Sequence, residues 1–64
     1  MNENQEERQG VRLLNPDEVA ARLGISVRKL WRMSKSDLIP KPVQVGGRGT
    51  RWRDTDITNY IMGL

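Results

Sequence analysis

The sequence predicts a mainly α domain carrying one small β-hairpin, and three observations lead there. Two well-marked helix starts, at Asn15-Pro16-Asp17-Glu18 and at Ser26, lie on either side of Gly24. Pro40 and Pro42 then forbid helical continuation, and two short β-rich runs follow on either side of Gly46-Gly47-Arg48-Gly49. Last, Ile57, Tyr60, Ile61 and Leu64 recur at the spacing of one helical face.

The first helix opens with an Asn15 cap, Pro16 at its first position, and Asp17 and Glu18 facing the positive end of the dipole. Glu18 stands where a capping box needs it, and Leu14 and Val19 are spaced as a hydrophobic staple that fixes how Val11-Arg12-Leu13 enters. Val19, Ala20 and Leu23 point inward, and Gly24 ends the helix because it adopts the left-handed conformation without a Cβ penalty.

Ser26 caps a second helix after only Ile25, and Ile25 and Leu30 form a second staple. Leu30, Met33, Ser34 and Asp37 share one side of this helix; Arg28, Trp31, Arg32 and Lys35 share the other, which is basic and aromatic. In the hairpin, Val43-Gln44-Val45 pairs with Thr50-Arg51-Trp52, with Val43, Val45 and either Thr50 or Trp52 on the inner side. Trp52 is the expected core residue, its indole N–H reaching a carbonyl or water. Asp54 and Asp56 open the closing helix as capping carboxylates, and Ile57, Tyr60, Ile61 and Leu64 form its inward stripe.

Composition narrows the chemistry. Sixty-four residues allow one small domain, and the absence of cysteine and histidine removes disulfides, zinc fingers, thiol nucleophiles and histidine acid–base pairs. No apolar run is long enough to span a membrane, and the first residues are too polar for a signal peptide, so a cytoplasmic protein without membrane contact is expected. Residues 1–10 carry Glu3, Glu6 and Glu7 against Arg8 and have no apolar residue after Met1, which predicts a disordered acidic tail ahead of a domain over residues 11–64. Between Arg28 and Arg53, eight Lys and Arg residues face Asp37 alone, a net of +7 inside a whole-chain charge of +3. A polyanion is the natural partner of such a block, because each neutralised phosphate releases condensed counterions. The Gly46–Gly49 turn lacks the Lys-Ser/Thr of a phosphate-binding loop and opens no helix.

Helix, glycine turn, helix, two-stranded wing and packing helix is the arrangement of a winged helix-turn-helix. The residues Leu13-Leu14, Glu18-Val19-Ala20, Leu23-Gly24-Ile25-Ser26, Leu30-Trp31-Arg32, Pro40-Lys41-Pro42-Val43, Gly47-Arg48, Arg51-Trp52-Arg53, Asp56-Ile57 and Tyr60-Ile61 resemble AlpA-like prophage regulators, which belong with the excisionase-like, MerR-like winged helices. The resemblance spans nearly all of residues 12–62. It implies a phage or prophage DNA-binding protein that activates an integrase or excision gene, or serves as a recombination directionality factor. It also implies that Val27 through Ser36 is the reading helix and Arg48 the wing arginine. Asp37 stands where many relatives have Gly, Ser34 where they have an apolar residue, and Gly49-Thr50 where they have a small-plus-aliphatic pair.

The expected function is therefore sequence-specific binding of double-stranded DNA, with Arg28, Trp31, Arg32 and Lys35 in the major groove and Arg48 at the wing. Ser26, Lys29, Lys41 and Arg51 are expected to hold phosphates. An integrase or RNA polymerase, and further copies of the chain binding cooperatively, are the candidate protein partners. The alternative is an interaction adaptor that sets its basic face on an acidic partner. No catalysis or metal is expected, since Asp54 and Asp56 have no companion ligand nearby in sequence, and no cofactor or small-molecule ligand is expected either.

Overall fold

The computed structural model describes residues 12–47 and 49–64. The predicted tail over residues 1–10, the start of the domain at Val11 and the wing residue Arg48 lie outside them. In chain order the elements are β1 (Leu13–Leu14), α1 (Pro16–Leu23), α2 (Val27–Lys35), β2 (Val43–Val45), β3 (Gly49–Arg53) and α3 (Asp54–Met62). Among the described residues three helices and a small antiparallel sheet form a winged helix-turn-helix.

Local sequence chemistry sets the helix-turn-helix. Asn15 Oδ1 accepts from the Glu18 N–H and Glu18 Oε1 accepts from the Asn15 N–H, both at 2.8 Å, which completes the capping box. Gly24 (φ 71°) ends α1, with the Ile25 N–H donating to the Ala20 carbonyl at 3.0 Å and the Gly24 N–H to that of Ala21 at 3.2 Å. This is a Schellman turn, and it leaves room for only Ile25 before the Ser26 cap. The end of α2 repeats the device with a different residue. Asp37 holds φ 58°, the Leu38 N–H donates to the Met33 carbonyl and the Asp37 N–H to that of Ser34. Aspartate enters the left-handed region more readily than most residues, so it serves here in place of glycine.

The sheet departs from the predicted two-stranded wing. Its order is β1-β3-β2, with Leu13 opposite Arg53 and Leu14 opposite Trp52, and with Val43, Gln44 and Val45 opposite Arg51, Thr50 and Gly49. The Asp54 N–H extends the first ladder by donating to the Arg12 carbonyl at 2.7 Å. The short segment expected only to lead into α1 is thus an edge strand, held by the far end of the chain.

The register also corrects the inner face of the hairpin. Directly opposed residues share a face, so Leu14, Trp52, Thr50 and Gln44 lie on one side and Leu13, Arg53, Arg51, Val43 and Val45 on the other. Gln44 and Thr50 hydrogen-bond across the strands at 3.2 Å on the first side. Val43 is half-buried and Val45 is 47% exposed, because pairing with Arg51 and Gly49 turns both away from Trp52.

Leu14, Val19, Ala20, Leu30, Ile39, Trp52 and Ile57 form the core, with Leu23, Ile25, Val27, Met33, Tyr60 and Ile61 packed around it. Trp52 is fully buried and its indole N–H donates to the Pro40 carbonyl at 2.9 Å, which ties the linker after α2 to the middle strand. Leu64 is not on the inward stripe. The helix stops at Met62, the Gly63 N–H turns back to Asn59 and Tyr60, and Leu64 is 84% exposed.

Candidate nucleic-acid interface

The surface of α2 carries the arrangement of interest. Leu30 is buried and Met33 and Ser34 are half-buried, which fixes the rotation of the helix and turns Arg28, Trp31, Arg32 and Lys35 outward. The ion pairs among the described residues are Arg22–Asp54, Lys41–Asp37 and Arg53–Asp56, so none of the α2 cations has an acidic partner there. There is no acidic residue in the first turn of α2 either, which leaves the positive end of its dipole unneutralised.

Ser26 sits at that end. Its hydroxyl oxygen accepts from the Lys29 N–H at 3.0 Å, and its own proton is left to donate to another group. Capping and a contact with an anion are compatible in one side chain.

Two of the expected phosphate-holding residues stand apart from the stripe. Lys29 lies further round α2, on the rim of a groove of about 190 Å³ that it shares with Leu23, Ile25, Met33, Tyr60 and Leu64. Arg51 lies on the solvent side of the sheet, opposite to Trp52, and its guanidinium donates to the Thr50 carbonyl at 2.9 Å. Lys41 is exposed and stands 3.9 Å from Asp37, a separation at which two solvated groups are held only loosely. At the wing tip Gly46 (φ 66°) and Gly47 (φ 83°) are exposed. A Cβ on Gly49 would meet the Val45 carbonyl at 2.9 Å.

Trp31 is not the freely outward ring the stripe suggests. It is 40% exposed, and its centroid lies 5.7 Å from that of Trp52 with the rings tilted by 50°. Helical spacing predicts the direction of its Cβ, while the contact depends on where β3 passes, which spacing does not encode. Asp54 is corrected in the same way. The N-cap of α3 is Arg53, without a side-chain capping bond, and Asp54 instead accepts from Arg22 at 2.6 Å, while Arg22 also donates to Thr58 at 3.2 Å. Arg22 therefore ties the end of α1 to the start of α3. A basic last turn and an acidic first turn were its only traces in the sequence.

Among the described residues no group of three or more His, Cys, Asp or Glu could hold a metal ion. No helix among them is long and apolar enough to cross a membrane.

No curated protein and no solved structure matches the chain. Residues 13–63 match the family described as "Helix-turn-helix domain", a span that takes in every strand and helix of the fold, and DNA binding is the function this supports. The chain belongs to the helix-turn-helix domain family.

Proposed function

We propose that this chain is a sequence-specific double-stranded DNA-binding regulator whose α2 enters the major groove. The observation that carries the reading is the exposed face of Arg28, Trp31, Arg32 and Lys35, without acidic partners among the described residues, on the second helix of a helix-turn-helix. In this reading Arg28 and Arg32 offer bidentate donors to guanine, and Lys35 supports them. Ser26, Lys29, Lys41 and Arg51 hold phosphates and set the register, and Arg48 extends the grip from the wing.

The biological role that goes with it is that of a phage or prophage regulator or an excisionase, acting by organising DNA with no chemistry of its own. One small domain contacts little DNA, so several copies would bind side by side, next to an integrase or RNA polymerase. A bend stabilised in this way must offset a deformation energy of about 1–6 kcal/mol.

In vitro selection from a random duplex pool, followed by titration of the recovered and a random duplex, tests the binding claim. The recovered duplex should bind more tightly, and Arg32→Ala should lose about 1–3 kcal/mol on it while losing less on the random one. Equal losses on both would remove Arg32 from the base-reading set, and equal affinity of the unaltered chain for both would end the sequence-specific reading. Circularly permuted fragments carrying the recovered site then separate the roles. Mobility that varies with site position supports the bending factor. Uniform mobility, with transcription lost on deleting residues 1–10, supports an activator.

A further inference from the structure

The indole of Trp31 stands out among its neighbours. Arg28, Arg32 and Lys35 surround it at helical spacing, yet the fold leaves this large apolar ring 40% exposed. Nor is the ring loose. It leans on Trp52 at 5.7 Å, and Trp52 is itself fully buried and held by its bond to the Pro40 carbonyl. Trp31 is thus a preorganised apolar surface in the middle of a basic stripe, supported from below by the core.

We propose that Trp31 reads the C5 methyl group of a thymine in the major groove and is a specificity-determining residue of the interface. The inference rests on the DNA-binding reading above and adds the chemistry of one contact. Base edges in the major groove offer hydrogen-bond donors and acceptors at every pair, and the apolar group among them is the thymine methyl. Arg28 and Arg32 can satisfy acceptors, whereas the methyl is read only by an apolar surface. The exposed part of Trp31 supplies that surface. Cytosine or adenine in the same place would set an amino group against the ring and strip it of water without a partner, so the contact also rejects the wrong base. Packing against Trp52 matters because a ring already fixed in place loses little conformational freedom on binding.

The test uses the full chain and the duplex recovered by in vitro selection, with each thymine replaced in turn by deoxyuridine, a change that removes only the methyl. Affinity should fall about fourfold at one thymine of each site, the loss of one buried methyl group, and stay level at the others. Trp31→Ala should show no such difference between thymine and uracil. Because that variant also loosens Trp52, a second measurement uses the unaltered chain: 5-bromodeoxyuridine at the sensitive position, irradiated, should crosslink to Trp31. A level series across every thymine would overturn the proposal while leaving DNA binding intact. A uracil effect that persists in Trp31→Ala, or a crosslink mapped to another residue, would also overturn it. Failure to bind any duplex would overturn both this contact and the reading beneath it.

Discussion

The two tryptophans divide the molecule's stability from its surface, and they do so unequally. Trp52 fills the centre of the core and satisfies the Pro40 carbonyl, so Trp52→Ala should cost about 3–5 kcal/mol, enough to unfold most of a domain this small. Trp31→Ala removes a half-exposed ring and a tilted aromatic contact worth about 0.5–1.5 kcal/mol beyond its buried area. Thermal melts should therefore rank Trp52→Ala well below Trp31→Ala; the reverse order would mean that Trp31 and not Trp52 is the ring that the core depends on. Arg22 and Asp54 form the other informative pair. Each is about one-third exposed, so a double-mutant cycle with Arg22→Ala and Asp54→Asn should give a coupling of about 0.2–1 kcal/mol, lower at high salt. A coupling of zero would mean that the α1–α3 tie adds nothing to stability.

At the scale of elements, the turns are where single changes are most revealing. Gly24→Ala forces an alanine to φ 71° and should cost about 1–2 kcal/mol, although a Cβ there would meet open space. Asp37→Gly should act in the opposite direction, raising stability by up to about 1 kcal/mol by relieving the left-handed aspartate at φ 58°. Urea melts of the two variants check both signs, and a destabilised Asp37→Gly would show that the aspartate side chain does more than occupy the turn. These elements are also where the sequence is most legible. Both ends of α1 and the start of α2 follow from caps, staples and one left-handed glycine, so they could be read before any tertiary contact was known; the end of α2 at Lys35 could not, because Asp37 reads as part of the helical face and instead holds the left-handed turn beyond it. Strand β1, the face of Val43 and the burial of Ile39 could not, because each depends on a partner far along the chain. Leu14 is a strand residue only because Trp52 pairs with it, and Val43 faces away from the core only because Arg51 stands opposite. The candidate interface divides along the same line. The outward set on α2 was legible from helical spacing, whereas the lean of Trp31 on Trp52 and the turn of Lys29 toward the α1–α3 groove were not.

For the whole molecule the organising quantity is the segregation of charge. The segment from Arg28 to Arg53 holds most of the positive charge of a chain whose net is only +3, and the α2 share of it has no internal acidic partner among the described residues. A helix face whose cations have no acidic partner among the described residues is suited to a polyanion, with an attraction whose range the Debye length sets. Lys41→Ala should weaken recovered and random duplexes alike, because a phosphate contact carries no base information. Whether this charge meets DNA is decided by the affinity of the full chain for duplex DNA as a function of salt. The logarithm of affinity should fall linearly and steeply with the logarithm of salt concentration, and Lys41→Ala should reduce the slope by about 1. A flat salt response in the unaltered chain would contradict the claim that the basic segment from Arg28 to Arg53 meets DNA.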